Sequence, residues 1–314
     1  MTIAWLFPGQ GSQSVGMGAD VLAASPAARA IFDRVDAALG EPISRLILHG
    51  PEAELTITAN AQPALVATSC AVLAAIRERL PGLAPPALAA GHSLGEYSAL
   101  VAAGALKLED AVRLVRARGR AMQEAVTAGT GAMSAIMGVD RERLEALCAE
   151  AARGEVVSPA NFNAPGQIVI AGHAGAVARV SELVAAEKGR AIPLKVSAPF
   201  HCALMAPAAR AVATELTRIP IETPAFPIVA NVDARPNAEA ARIKDLLVRQ
   251  VDGVVRWEES VRAMVAAGVT HALEIGPGKV LAGLVKRIAK DVKVLSVGDA
   301  ASVDQVAGFI AGAN

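Results

Sequence analysis

The sequence predicts an α/β protein in which a small domain is inserted into a larger domain built on a parallel sheet. Apolar, strand-like runs alternate with helical runs from the N-terminus onward, a pattern typical of parallel sheets covered by helices. Between Gly131 and Val196 the order changes to strand, helix, strand, strand, helix, strand. That βαββαβ order is the ferredoxin-like unit. We therefore expect the large domain over 1–127 and 198–314 and the small domain over 128–197.

Length and composition agree with two domains and exclude several functions. The 314 residues exceed the size at which a single core usually stops growing, and 53% are hydrophobic while only 3% are aromatic. Thirty basic and thirty acidic residues cancel, so we expect no nucleic-acid partner. The first residues lack a basic signal-peptide region, and no uncharged apolar run reaches membrane-spanning length. Three widely separated cysteines predict neither disulfides nor a metal cluster and favour a reducing cytoplasm: Cys70, Cys148 and Cys202.

The large domain should open with a strand over Ile3–Phe7, which Pro8 ends. A long helix follows, capped by Asn60 and running to Leu80 before a proline- and glycine-rich break. A short strand over 87–90 precedes a helix over 96–106. After the small domain the sequence predicts three more strands, Phe226–Val232, His271–Ile275 and Lys293–Val297.

The small domain has clear segments of its own. Two short strands flank the turn at Asn163–Gly166, and each lies next to a helical run. The predicted elements are strand Ala132–Gly138, helix Arg141–Arg153, strands Val156–Phe162 and Gln167–Ala171, helix Ala174–Lys188 and strand Ala191–Val196.

The most informative motif is Gly91-His92-Ser93-Leu94-Gly95, between the predicted strand over 87–90 and the helix that follows. A Gly-x-Ser-x-Gly in a strand-to-helix turn is a nucleophile elbow, which holds the serine hydroxyl at the head of the helix. Free N–H groups there can bind an oxyanion. Ser93 is therefore predicted to form an ester. The alternative reading is a serine N-cap in a glycine-rich turn.

A serine nucleophile needs a base, and histidine is the usual one. His201 ranks first because it follows Pro199-Phe200 where the chain re-enters the large domain. His92, adjacent to Ser93, should point away from the hydroxyl and pack as a structural residue. The other three are expected beside loops or at the start of a strand: His49, His173 and His271.

The basic run at 113–120 predicts one unusual arginine. On a helix, Arg113, Arg116 and Arg120 share a face and are expected to form a solvated stripe, whereas Arg118 falls among apolar residues. A guanidinium directed into the protein is costly unless it meets a carboxylate or other acceptors. A structural ion pair is one reading, but the sequence shows no obvious partner acid. We therefore favour a clamp for a substrate carboxylate.

Several segments, in one order over nearly the whole chain, resemble the malonyl-CoA:acyl carrier protein transacylases of fatty-acid synthesis and the related acyltransferase domains of polyketide synthases. These are the opening loop Phe7–Gln13, the serine elbow Gly91–Leu100, the arginine segment Arg118–Gln123, the small-domain segment Asn161–Gln167, the histidine segment His201–Met205, Gln250, and the late strand and turn Glu274–Lys279.

The resemblance implies an α/β-hydrolase-like large domain and a role for each matching position. Ser93 would be the nucleophile and His201 its general base and acid, with the backbone carbonyl of Gln250 orienting the imidazole in place of an aspartate. The oxyanion hole would be formed by the backbone N–H groups of Gln10 and Leu94. Arg118 would hold the malonyl carboxylate, with further substrate contacts from three residues: His92, Asn163 and Phe200.

The implied reaction is a ping-pong transfer of malonyl from malonyl-CoA to the phosphopantetheine thiol of acyl carrier protein. Coenzyme A enters as a substrate thioester, and no metal or other cofactor is expected. A bulky Phe200 would crowd a methylmalonyl branch. Because the carrier is acidic, a basic rim is expected from Lys188, Arg190, Lys195, Lys279, Lys286 and Arg287. We expect a cytoplasmic monomer that does not bind membranes.

Three other readings stay open. A serine hydrolase acting on acyl thioesters shares the elbow but usually has its histidine late in the chain. A carrier-docking subunit without activity would normally have lost the nucleophile or the base. An acyltransferase of a polyketide or other specialised pathway would keep the same site residues.

Overall fold

The computed structural model describes residues 2–312, which form two sheets covered by helices. The ten strands are β1 (Ile3–Phe7), β2 (Leu88–Gly91), β3 (Gly131–Met137), β4 (Val157–Ala164), β5 (Gln167–His173), β6 (Arg190–Pro193), β7 (Ile228–Val229), β8 (Pro236–Asn237), β9 (His271–Ile275) and β10 (Lys293–Val297).

Fourteen α-helices surround these strands within the described range, and a short 3-10 helix over Ala203–Met205 precedes the tenth. They are α1 (Ala19–Ala24), α2 (Pro26–Leu39), α3 (Ile43–His49), α4 (Glu52–Thr56), α5 (Thr58–Arg79), α6 (Gly95–Ala102), α7 (Leu108–Glu124), α8 (Arg141–Ala152), α9 (Ala174–Ala186), α10 (Ala206–Leu216), α11 (Ala240–Asp252), α12 (Trp257–Ala266), α13 (Val280–Ile288) and α14 (Ala300–Ala311).

The larger sheet has the order β10-β9-β1-β2-β7-β8, and all its pairs are parallel except β7 with β8. The predicted α/β class with a parallel sheet is therefore confirmed. Because β1 and β2 are adjacent and parallel, with Phe7 opposite Gly91, the loops that leave both strands meet at the same edge of the sheet. The predicted strand over 226–232 is wrong in extent. Only Ile228–Val229 pairs in the sheet, and the Asn231 side chain instead accepts a hydrogen bond from the Ser93 backbone.

The smaller sheet is antiparallel, has the order β4-β5-β3-β6, and carries α8 and α9. This order is the one expected of the ferredoxin-like unit. Its elements lie between Gly131 and Pro193, inside the predicted range 128–197. The domain boundaries themselves stay a prediction.

The core of the larger unit is built around α5, which packs against α2, α6 and α7. By length and composition α5 could cross a membrane, but 89% of its most apolar window is buried inside the protein. Cys70 is buried in this helix and Cys148 in α8, as expected of small core residues.

Two expectations about the surroundings of α5 were wrong. Asn60 does not cap the helix, because α5 begins at Thr58 and the Asn60 amide donates instead to the carbonyl of Glu54 (2.8 Å). Arg116 is not part of a solvated stripe. It is buried on α7, where it forms an ion pair with Glu41 and a hydrogen bond to the Asn60 amide oxygen. Helices α2 and α5 both pack against α7 and cover that side.

Candidate active site

Ser93 lies in a tight turn between β2 and α6, the geometry predicted for the elbow. Its φ of 48° is in the left-handed region, which non-glycine residues rarely adopt. The flanking glycines are required by close backbone approach. A Cβ on Gly91 would lie 1.8 Å from the carbonyl carbon of Gly95, and one on Gly95 would lie 2.0 Å from the Phe7 carbonyl oxygen. Only glycine fits where backbone segments come this close, and the tight turn that results presents the Ser93 side chain to the cavity.

His201 completes a hydrogen-bonded pair with Ser93. The distance from Ser93 Oγ to His201 Nε2 is 2.7 Å, and His201 Nδ1 lies 2.9 Å from the Gln250 carbonyl oxygen. A carbonyl can only accept, so Nδ1 carries the proton and Nε2 is free to accept from the serine hydroxyl. Burial, with the nearby Arg118 charge as the second cause, lowers the pKa of His201 to about 3. The imidazole is therefore a neutral base in this site.

Arg118 reaches the same hydroxyl from the other side. Its side chain is 1% exposed, and its Nη2 donates to Ser93 Oγ (3.1 Å) and to Gln250 Oε1 (3.0 Å), while Nη1 donates to Gln62 Oε1 (2.9 Å). All three acceptors are neutral, and within 2–312 no carboxylate forms an ion pair with this guanidinium. A buried cation with only neutral partners is suited to bind an anionic ligand.

Gln250 acts through both its backbone and its side chain. Besides orienting His201 with its carbonyl, it donates from Nε2 to the backbone oxygen of Ser93 (2.9 Å) and to Glu96 Oε2 (2.8 Å). Glu96 is buried, and burial raises its pKa to about 7. Neither Glu96 nor Gln62 was predicted as a site residue from the sequence. Glu96 stands three residues after Ser93 on an apolar helix, and a carboxylate in such a position is the signal that could have identified it.

The two backbone N–H groups predicted to form the oxyanion hole belong to Leu94 and Gln10. The N–H of Leu94 is at the start of α6, and that of Gln10 is in the loop after β1. Neither meets an acceptor among residues 2–312, and both residues line the cavity in front of Ser93. Free N–H groups at a helix N-terminus can stabilise a developing oxyanion.

His92 points away from the Ser93 hydroxyl, as expected. Its Nε2 lies 2.8 Å from Asn163 Oδ1, its ring packs at 5.6 Å from Trp257, and burial lowers its pKa. His92 lines the cavity. Asn163 does not line it, so it can influence a ligand only through its hydrogen bond to His92. Asn161, which was not predicted as a site residue, lines the cavity directly.

These groups open into a cavity of about 370 Å³ between the two sheets. The larger unit provides Ser93, His201 and Arg118, and the smaller unit provides Met133 and Asn161. The linking segment contributes Leu194–Ser197 and Phe200, whose ring is almost completely buried. Most of the lining is apolar, so a charged group entering here would lose water and meet the guanidinium.

The other predicted residues lie outside this cavity, with one exception. Lys195 lines it, whereas the remaining five basic rim candidates are exposed elsewhere, and Arg287 already donates to Gln167 and Pro165.

The other three histidines also lie outside the cavity. His49 is exposed, His173 accepts from the Val156 N–H, and His271 is buried at the start of β9. Cys202 is buried with its thiol against the Pro199 carbonyl. Among residues 2–312 no group of three or more histidine, cysteine or acidic side chains could hold a metal ion.

Comparison with known proteins agrees with this geometry. Residues 4–308 match the model of the acyl transferase domain family. Malonyl CoA-acyl carrier protein transacylase of Salmonella typhimurium is 50% identical over 301 residues, covering 96% of this chain and 97% of the relative. The enzyme of the same name from Escherichia coli K12 is 52% identical over 286 residues, covering 91% and 92%.

Solved structures show the same fold. An acyl carrier protein S-malonyltransferase from Vibrio cholerae superposes with a TM-score of 0.94 at 48% identity, covering 98% of this chain and all of that one. A malonyl-transacylase solved in complex with a type II polyketide synthase acyl carrier protein gives a TM-score of 0.95 at 47% identity, covering 98% and 100%. The chain therefore belongs to the acyl transferase domain family.

Proposed function

We propose that this protein transfers malonyl from malonyl-CoA to the phosphopantetheine thiol of acyl carrier protein. The observation that carries the proposal is the buried Arg118, whose Nη2 lies 3.1 Å from the nucleophile Ser93 Oγ. A guanidinium at that position can hold the far carboxylate of a dicarboxylic acyl group while the near carbonyl faces the serine. The relatives named as malonyl transacylases support the same substrate.

In the first half-reaction, Ser93 Oγ attacks the thioester carbonyl and His201 Nε2 takes the hydroxyl proton. The N–H groups of Gln10 and Leu94 receive the developing oxyanion. The C–S bond then breaks, and coenzyme A leaves as its thiol with the proton from His201. Malonyl remains as an ester on Ser93, held by Arg118.

The second half-reaction reverses these roles. The carrier thiol gives its proton to His201 and attacks the ester carbonyl, and Ser93 Oγ leaves with that proton. Water must be excluded in the interval, and the mostly apolar surface of the cavity between the two sheets favours that exclusion once a substrate fills it. No metal or other cofactor takes part in this proposal, and we place the protein in the cytoplasm as a monomer.

The test is the intact mass of the protein after mixing with malonyl-CoA, followed by addition of phosphopantetheinylated acyl carrier protein. We expect a single malonyl adduct that peptide mapping locates at Ser93, and its mass should then appear on the carrier. An adduct lost only to water would favour the thioester hydrolase. A preference for the carrier of a polyketide pathway over that of fatty-acid synthesis would assign the chain to the specialised pathway.

The pH dependence of the first half-reaction follows from the low pKa of His201. A base must be unprotonated to accept, and the free enzyme keeps His201 neutral down to about pH 3. We therefore expect kcat/KM for malonyl-CoA to stay level as the pH falls from 7 to 5, measured by release of coenzyme A. A decline centred near pH 6.5, the usual histidine value, would contradict this.

Phe200 should limit the size of the acyl group. Its ring lines the cavity on the same segment as His201, where it would crowd an α-methyl branch. Phe200→Ser is expected to raise the kcat/KM of methylmalonyl-CoA relative to malonyl-CoA by about 10-fold, the typical effect of space for one methyl group. Phe200→Leu, which keeps most of the bulk, serves as the control. An unchanged ratio in the serine variant would show that another residue sets the selectivity.

A further inference from the structure

Two buried polar side chains next to the catalytic groups, Asn231 and Glu96, take no part in the proposed reaction steps. Asn231 follows the short β7 and is 1% exposed. Its Oδ1 accepts from the backbone N–H of Ser93 (2.6 Å), and its Nδ2 donates to the carbonyl of Gly91 (2.7 Å). One side chain therefore connects the last residue of β2 to the backbone of the nucleophile.

Glu96 connects this residue to Gln250. Its Oε2 accepts from the backbone N–H of Asn231 (3.0 Å) and from Gln250 Nε2 (2.8 Å). Because Glu96 Oε2 already accepts from the Asn231 N–H, the Gln250 amide meets it with Nε2, its only donor atom. Oε1 of Gln250 is then directed at Arg118 Nη2 (3.0 Å). With the amide reversed, an N–H group would face the guanidinium.

The elbow needs such support because Ser93 is held at a φ of 48°, which a serine adopts only when its surroundings impose it. In that conformation the Ser93 N–H faces the protein interior, and Asn231 supplies its acceptor. Without that acceptor, a buried N–H would be left without a partner, and relaxation of the turn would move Oγ away from His201.

We propose that Asn231 and Glu96 are positioning residues for acyl transfer. Asn231 holds Ser93 in its left-handed conformation, and Glu96 holds Asn231 and sets the Gln250 amide that directs Arg118. Neither residue lines the cavity, so neither touches the acyl group. This inference rests on the acyl transfer proposed above, and its test includes a reagent that does not depend on malonyl.

The test compares Asn231→Ala with Asn237→Ala. Asn237 is a matched control, since it is also buried and also makes two hydrogen bonds to the backbone, both with Glu239, but lies away from the elbow. Two rates are measured: single-turnover acylation by malonyl-CoA, and labelling of Ser93 by a fluorophosphonate, in which an Oγ–P bond forms and fluoride leaves. We expect Asn231→Ala to lower both by about 100-fold with an unchanged KM, since a small misplacement of reacting atoms has effects of that size. Asn237→Ala should change only thermal stability.

A second pair of variants tests Glu96. Glu96→Gln retains an oxygen that can accept from both donors, so we expect it to keep most of the acylation rate. Glu96→Leu removes the acceptor and should lose rate as Asn231→Ala does. Wild-type rates in Asn231→Ala, or equal losses in Asn231→Ala and Asn237→Ala, would overturn the inference. If the wild-type protein reacted with the fluorophosphonate but not with malonyl-CoA, the proposed function would fail, and the labelling ratio would still decide the role of Asn231.

Discussion

Replacement of Ser93 or His201 by alanine is expected to slow malonyl transfer by about 10⁴- to 10⁶-fold, and replacement of both should slow it little further. The two side chains act as one unit, because the 2.7 Å hydrogen bond lets the imidazole take the proton only as Oγ attacks. Without His201 the Ser93 hydroxyl has no base to take its proton, and without Ser93 the imidazole has no nucleophile to activate. The remaining rate would come from the oxyanion donors and from substrate positioning.

The measurement is single-turnover release of coenzyme A by the two single variants and the double variant. Ser98→Ala is the control, since Ser98 is a buried serine on α6, the helix that follows the nucleophile turn, five residues after Ser93. It should retain nearly the full rate. Losses that add up in the double variant would mean that Ser93 and His201 act independently, which is incompatible with the proposed proton transfer.

Most of the fold could be predicted from the sequence because it is encoded in short segments. The limits of β1, β9 and β10 match the predictions to the residue, since each is an apolar run bounded by turn-forming residues. The prediction for 226–232 was wrong because periodicity does not show that Asn231 leaves the sheet to bind the Ser93 N–H. Local pattern indicates burial, but it does not indicate which buried group a side chain meets.

The same distinction applies to the site. The Gly-x-Ser-x-Gly turn and the inward direction of Arg118 are local features, so both could be read from spacing. The acceptors of Arg118 could not, because Gln62 lies 56 residues earlier in the chain and Gln250 lies 132 residues later. On α7 the sequence separated Arg118 from the neighbouring arginines but did not show that Arg116 is covered by Glu41.

Arg118→Met should reduce the preference for malonyl over acetyl by about 10³-fold in the ratio of kcat/KM values. Methionine keeps much of the length of the side chain but has no charge, so the malonyl carboxylate would be buried without a partner at a cost of about 3–5 kcal/mol. Acetyl has no carboxylate and does not incur that cost. Arg118→Lys should fall between the two, because an ammonium keeps the charge but lacks the planar pair of donors.

Arg116→Met is the matched control, since Arg116 is buried two residues earlier on the same helix but pairs with Glu41 outside the cavity. It should lower stability and leave the acyl preference unchanged.

A second effect, on the pKa of His201, separates the loss of the Arg118 charge from a simple loss of carboxylate binding. The Arg118 charge is the second cause of the low pKa of His201, after burial, so its removal should raise that pKa. The acid side of the kcat/KM profile should then move to higher pH in Arg118→Met but not in Arg116→Met. An unmoved profile with a collapsed preference would mean that Arg118 binds the carboxylate without influencing the base.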